Sequence, residues 1–259
     1  MRTVVATTGG GLGNRLLGLA SVMILAAKAD AELKVYWPEG TTGTGTPEGF
    51  FCPFSSLYKP PCQFITAVDR NQVLMKPHTH YSLEDQRTGR SPVSDTGTTY
   101  YYTHGAIREA ATLSELRVQL EALRPSAAVR SKLATARTLL NDQLYDGLLV
   151  RCHGHPKARR WNPSIKFNQL LMTRPHNSPV SCYLACDDRS VTARLMAHPY
   201  CRTVVLPRPG RRNTEEELTT VAADIAILSR CERFYATPFC ALTELIKVLR
   251  GDKEVIYPE

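Results

Sequence analysis

The chain opens on a strand-like run, Thr3-Val4-Val5-Ala6-Thr7-Thr8, that feeds directly into Gly9-Gly10-Gly11-Leu12-Gly13 and then into a long apolar stretch, residues 14–29. β-Branched residues, then glycines, then good helix formers read as strand, tight turn and helix. Residues 32–37 (ELKVYW), closed by Pro38, form the next strand. Parallel neighbours need a crossover, usually a helix, so this strand–helix–strand unit predicts a parallel sheet and an α/β fold. Composition agrees with that class. Of 259 residues, 43% are hydrophobic and 22% charged, which excludes a disordered tail, a collagen-like repeat and a small disulfide-stapled module. The length suits one large domain or two small ones, with a core that needs neither metal nor disulfide for stability.

Beyond the first unit, periodicity is lost from Gly40 to about His104, and residues 41–46 (TTGTGT) read as loop. Helical patterning returns at residues 113–123, and Pro125-Ser126 restarts a helix over 127–140. Residues 141–147 (NDQLYDG) are polar and turn-forming. They place a boundary between an N-terminal Rossmann-like domain, 1–145, and a C-terminal domain, 146–259. In the second domain short strands alternate with helices. Strands fall at 148–152, 180–185, 203–206 and 233–236, and helices at 164–172, 190–197, 215–229 and 241–249. That alternation is the pattern of a doubly wound sheet.

The N-terminus lacks the long apolar core and small-residue cleavage site of a secretory signal. The most apolar stretch, residues 16–27, is too short to span a bilayer. The chain is therefore expected to be soluble and cytoplasmic, without a stable membrane anchor. Its eight cysteines show no CxxC pair, so a structural zinc site is not expected. Cys152-His153-Gly154-His155 has the local look of a metal cluster that Cys182 or Cys186 would complete, but its spacing matches no standard site. Most of the cysteines sit in apolar runs and read as small core residues. Cys52 and Cys62 flank a proline-rich loop and would be placed to bridge in an oxidising compartment.

Three constellations carry chemistry. In the first, glycines at the end of a strand let backbone N–H groups at a helix N-terminus approach a phosphate or carboxylate closely. Gly11, Gly13, Asn14 and Arg15 are its candidate binding residues. A dinucleotide fingerprint would carry a third glycine where Asn14 stands, which weakens a nicotinamide reading; a tight turn without a ligand has the same appearance. In the second, Arg151 closes the apolar run 148–150, at the strand end where α/β sheets bind ligands. A guanidinium is permanently charged and forks onto phosphate oxygens. A salt bridge to a neighbouring carboxylate is the plainer reading, and Arg159, Arg160, Arg208, Arg211 and Arg212 read as solvated loop charges. In the third, Asp187-Asp188 follow a strand, where they would hold a metal, a ribose or a base edge, or cap the helix beginning near Ser190.

Taken in order, Gly-Gly-Leu-Gly-Asn-Arg-Leu at residues 10–16, Arg151, Asn162-Pro163 and Leu-Ala-Cys-Asp-Asp at 184–188 resemble the fucosyltransferase-like glycosyltransferases. Asp224-Ile225-Ala226-Ile227-Leu228-Ser229-Arg230-Cys231 is similar to that family's Asp-x-x-x-Leu-Ser-x-Cys helix end. Residues 236–244 resemble its serine-rich loop and final helix. The resemblance implies a GT-B fold, two facing Rossmann-like domains with mostly parallel sheets. It implies an inverting, metal-independent transfer of L-fucose from GDP-fucose to a glycan or other hydroxyl acceptor, with no cofactor. The unmatched middle, about 40–105, would bind the acceptor.

Carried over by position, Arg151 falls on the arginine that neutralises the leaving GDP and is the expected catalytic residue. The glycine turn with Asn14 would face the diphosphate, and Asp187 and Asp188 would lie near the nucleoside. His153, Cys240, Ala241, Leu242 and Thr243 would lie near the phosphates. The chain departs from the family at Leu149, Cys152 and Gly154, where the motif has histidine, a second arginine and aspartate, and at Cys240 and Ala241, where it has serines. These changes leave a different nucleotide sugar open. Two further alternatives come from other classes. A nicotinamide-dependent oxidoreductase would need Glu39 on the ribose. A basic module that binds sugar or nucleic acid without catalysis would rest on the net charge of +8. The arginine cluster lacks interleaved aromatics, and an anionic nucleotide sugar explains the charge equally, so nucleic acid is not an expected partner.

Overall fold

The structure, a computed structural model, describes residues 2–37, 52–65, 98–103, 106, 111–153, 156–173, 180–199, 201–209 and 213–259. The chain divides into two compact units. One comprises Met1–Ser126 with Arg212–Glu215, the other Ala127–Arg211 with Glu216–Glu259.

In the first unit, β1 (Thr3–Thr8) leads through the glycine turn into α1 (Leu12–Lys28) and back into β2 (Glu32–Tyr36). Gly10 turns the chain with φ 77°, a conformation that suits glycine. α1 starts two residues earlier than its composition suggests, because Gly11 is already its N-cap. Short α2 (Phe54–Leu57), β3 (Gln63–Ile65) and β4 (Thr98–Thr103) follow. The sheet order is β3-β2-β1-β4 and every pairing is parallel. β3 and β4 lie in the stretch that read as irregular, since three residues in one case and a Thr/Tyr run in the other carry little apolar periodicity. α3 (Leu113–Ala122) packs on α1. It begins with a capping box in which Thr112 and Glu115 satisfy each other's backbone N–H groups. Lys28 Nζ sits 2.8 Å from the Glu115 carboxylate, and with Thr112 it draws that carboxyl down to about 2.

In the second unit, α4 (Ala127–Leu140), β5 (Asp146–Val150), α5 (Pro156–Arg160), α6 (Pro163–Met172), β6 (Val180–Cys186), α7 (Arg189–Met196), β7 (Cys201–Val204), α8 (Glu215–Leu228), β8 (Phe234–Ala236), α9 (Ala241–Arg250) and β9 (Val255–Ile256) follow in turn. Its sheet runs β7-β6-β5-β8-β9, again wholly parallel. Alternation along the strands feeds both faces. Leu148 and Val150 join Phe167, Leu171, Val191 and Leu195 on the α6/α7 side. Leu149 and Ala185 face Val221, Ile225, Leu228 and Ile246 on the α8/α9 side. A parallel sheet covered on both faces explains the near-continuous apolar run at 148–150.

The boundary between the units lies at Ser126/Ala127, not at 145/146. The segment ahead of it belongs to the first unit: Lys59 N donates to Arg124 O at 2.9 Å, and Ser126 Oγ to Ser56 O at 2.7 Å. α4 belongs to the second, burying Val129, Ala136 and Leu140, while Arg202 of β7 reaches Leu139 O. The polar 141–147 segment is a real turn, with Asn141 and Asp142 both at positive φ, but it ends a helix inside one unit. No disulfide joins any of the eight cysteines, Cys52 and Cys62 included. Among the described residues no helix is long and apolar enough to cross a membrane.

Candidate functional site

In both sheets a strand order that reverses direction puts a crevice at the carboxyl ends of the strands flanking the first one, where α/β folds take their ligands. In the second sheet that switch lies between β5 and its neighbours β6 and β8. Arg151 leaves β5 at this point. Its backbone N–H donates to Thr237 Oγ1 at 3.0 Å, and Thr237 Oγ1 in turn donates to Leu149 O at 3.1 Å. The end of β5 is thereby fastened to the end of β8. The Arg151 side chain, 19% exposed, approaches the 2% exposed Asp187 carboxylate, with Nη1 3.5 Å from Oδ2. Burial works against the guanidinium charge. Asp187, helped by Cys240 and Glu217, outweighs it, and the Arg151 pKa stays above its ordinary value.

The two adjacent carboxylates have different duties. Asp187 Oδ1 accepts from the Cys152 backbone N–H at 2.6 Å, and Oδ2 from that of His153 at 3.2 Å. It therefore holds the turn after β5 as well as Arg151. Asp188 is the N-cap of α7, its Oδ1 accepting from Val191 N at 3.0 Å and from Ser190 Oγ at 2.7 Å. These hydrogen bonds, Ser190's first, pull its carboxyl down to about 2. The exposed His153 ring lies 3.0 Å from Asp188 Oδ2 through Nε2. The capping expectation thus describes Asp188, and the site-facing one fits Asp187.

The loop after β8 contributes Phe239, Cys240 and the start of α9. Phe239 adopts φ 58°, unusual for an aromatic residue, and leaves its ring 59% exposed, 5.8 Å from Lys157 Nζ. Cys240 is the N-cap of α9, followed by Ala241 and by Leu242, which lines a cavity with Leu149, Arg151 and Cys186. Thr243 stands apart from them. It is buried, and its hydroxyl donates to Thr237 O at 2.8 Å, closing the β8–α9 loop from within.

Arg208 and Asp224 line the same cavity. Arg208, which read as a solvated loop charge, is ion-paired through Nη2 with Asp224 Oδ2, while Tyr183 OH donates to Asp224 Oδ1 at 2.5 Å. Asp224 keeps the Arg208 guanidinium charged against the cost of burial. Arg208 lies in the loop beyond β7, which ends at Val204, so the strand-end rule that singled out Arg151 passes over it. Cys186, not Cys182, comes beside Cys152; these two thiols and the Asp187 carboxylate offer ligand atoms within 4.8 Å of one another. His155, Arg211, Arg212 and Glu39 lie outside the described residues.

In the first unit the turn at Gly10 and Gly11 leads into α1, whose first turn carries no acidic side chain. A Cβ built at Gly11 would meet nothing within 4 Å, so the space over the helix N-terminus is open. Gly13 is buried and Asn14 half-buried. Arg15 turns inward instead of toward a ligand. It is fully buried, donates from Nε to Gly10 O at 2.9 Å and lies over the Trp37 ring at 5.1 Å. Its role is to brace the glycine turn.

No protein-family model and no curated protein matches the sequence. Solved structures do. Fucosyltransferase NodZ from Bradyrhizobium is 17% identical, with a TM-score of 0.65 over 96% of this chain and 92% of its own. Arabidopsis thaliana FUT1, a mutant in complex with GDP, is 13% identical with a TM-score of 0.60 over all of this chain and 71% of its own. POFUT1 in complex with GDP-fucose is 12% identical with a TM-score of 0.57, over 98% of each. This chain has the GT-B fold. The expectation drawn from the glycine turn, Arg151 and the late helix motifs therefore holds at the level of fold. In GT-B terms, the second unit's crevice, with Arg151, Asp187 and the Phe239–Leu242 loop, stands at the carboxyl edge of the C-terminal Rossmann-like sheet.

Proposed function

We propose that the chain is a glycosyltransferase that takes GDP-fucose as donor and transfers L-fucose to a hydroxyl of a glycan. The observation that carries this reading is Arg151: a guanidinium at the switch point of the second sheet, paired with Asp187. Its support is the fold shared with NodZ soaked with GDP-fucose and with POFUT1 in complex with GDP-fucose.

In the transfer, the bond from the anomeric carbon to the diphosphate oxygen breaks as the acceptor oxygen attacks from the opposite face, inverting the configuration. Negative charge grows on the departing GDP, and a donor already aimed at that position lowers the barrier without reorganising. Arg151 supplies the charge. Asp187 keeps it oriented through the pair and through its bonds to Cys152 and His153. In the first unit, α1 carries no acidic side chain in its first turn, which favours an anion at that helix N-terminus. With fixed cationic groups in this role, the reaction is written without a metal.

Calorimetric titration with GDP, UDP, ADP and NAD in EDTA tests the donor, with GDP expected to bind selectively. Preference for UDP or ADP would replace the donor, and absence of nucleotide binding would overturn the reading. Arg151→Ala is then expected to cut turnover of GDP-fucose by about 10²–10³, the usual loss when one oxyanion-stabilising donor is removed. Arg151→Lys should recover only part of it, since an ammonium cannot fork onto two phosphate oxygens. Unchanged turnover in Arg151→Ala would remove it from this role.

A further inference from the structure

One pair of side chains beside this site is not used by the transfer. Cys152 follows Arg151 directly, at the position where the resemblance has a second arginine, and Cys186 closes β6 just before Asp187. Val150 and Cys186 are paired across β5 and β6, which brings the two cysteines side by side at the sheet edge. Their sulfurs lie within 4.8 Å of one another. The environments differ. Cys186 is buried, whereas Cys152 is partly open to solvent. Cys186 sits in the apolar cluster of Leu148, Val150 and Leu184 with Cys152 packed against it, so a small oxidant reaches the pair from the Cys152 side.

We propose that Cys152 and Cys186 are an oxidisable pair, a modification site at which hydrogen peroxide closes a disulfide and thereby weakens nucleotide binding at Arg151. The second half of this statement rests on the nucleotide reading above; the first does not. Cys186 Sγ is fixed at the turn, donating to Asp188 O at 3.3 Å and accepting from Asp188 N at 3.4 Å. Cys152, at the solvent-facing end of the pair, is the sulfur that meets the oxidant, and Cys186 the one that resolves it. A metal fits the cluster less well, because both Asp187 oxygens already accept backbone N–H groups and one faces Arg151.

The chemistry balances in two steps. The Cys152 thiolate, its proton released to solvent, attacks one peroxide oxygen. The O–O bond breaks, a sulfenic acid forms, and hydroxide leaves to be protonated to water. The Cys186 sulfur then attacks the sulfenic sulfur, the S–S bond forms as the S–O bond breaks, and a second water departs with the Cys186 proton. Two thiols are oxidised by two electrons and one peroxide is reduced. Closing the sulfurs to a bond of about 2.05 Å must draw Cys152 toward β6. Cys152 N is the closest donor to Asp187, so the clamp on Arg151 shifts with it.

The full chain is reduced, treated with stoichiometric hydrogen peroxide, alkylated and mapped by tandem mass spectrometry, and GDP affinity is measured before and after. A crosslink joining Cys152 to Cys186 is expected, absent in Cys186→Ser. GDP affinity should fall about tenfold on oxidation and return with dithiothreitol. If both thiols stay alkylatable, or pair elsewhere, the site is refuted. A crosslink with unchanged GDP affinity refutes its effect on binding. If the reduced chain does not bind GDP, the nucleotide reading and the binding effect fall together, and the crosslink alone decides the modification site.

Discussion

Asp187 and Asp188 are neighbours of the same chemistry, and only their hydrogen bonds separate a site residue from a cap. Removing the Asp188 side chain should cost about 1 kcal/mol, the usual value of an N-cap, and leave GDP affinity unchanged. Removing that of Asp187 should cost about 3 kcal/mol, the low end for breaking a buried pair because Arg151 keeps some solvent, and should weaken GDP binding as well. Urea unfolding and calorimetry on both alanine variants separate the two; a larger loss of affinity in Asp188→Ala than in Asp187→Ala would mean the assignment is reversed. The Asp188 effect also has a pH signature. Its folded pKa is lowered from 3.8 to about 2, so its contribution is present above pH 4 and fades as pH falls toward 2. The stability gap between wild type and Asp188→Ala should therefore shrink between pH 5 and pH 2. The sequence marked Arg151 because a charge at the end of an apolar run is a local signal. It misassigned Arg15 and Arg208, since whether an arginine turns inward depends on Gly10 O and Trp37 in one case and on Asp224 in the other.

At the scale of elements, those with a clear local pattern were legible whatever their length: three-residue β8 was marked, while the six-residue Thr/Tyr strand β4 was not. The 3.6-residue period and the caps marked α3, α4 and α8 to within a residue or two, because tertiary packing there agrees with local preference. β5 was displaced by two residues: Asp146 and Gly147 look like turn, yet both are strand. Asp146 is tolerated because Arg233 Nε lies 3.2 Å from its carboxylate. Gly147 is required by what lies above it. A Cβ there would stand 2.6 Å from Cys231 Sγ and 2.7 Å from Leu228 Cδ2, so the missing side chain lets the end of α8 press onto β5. Gly147→Ala is expected to destabilise the second unit by about 1–3 kcal/mol through overpacking. The double variant Gly147→Ala/Cys231→Ala should lose less than Gly147→Ala alone relative to its own Cys231→Ala parent, because the clashing sulfur is gone. Denaturant unfolding of the four proteins gives the cycle, and equal losses in both backgrounds would discard the packing account.

For the whole molecule, the polar 141–147 turn looked like a linker, but the chain changes unit at Ser126/Ala127 with no compositional shift at all. Only long-range pairings reveal it, with Ser126 tied to Ser56 and Leu57 while Arg202 reaches α4. Each unit carries one of the two tryptophans, so the two cores can be watched separately. Trp37 is buried in the first, its Nε1 donating to Cys52 O at 3.0 Å, and Trp161 packs on Phe167 in the second. Trp161→Phe leaves a reporter in the first unit and Trp37→Phe leaves one in the second. If the donor is held chiefly by Arg151 and its neighbours, GDP at one hundred times its dissociation constant should stabilise the Trp161-reported transition by about 2.7 kcal/mol. The Trp37-reported transition should move less, because only the α1 N-terminus would contribute there. A shift confined to Trp37 would transfer the nucleotide to the glycine turn of the first sheet, and Arg151 would then be a structural arginine paired with Asp187.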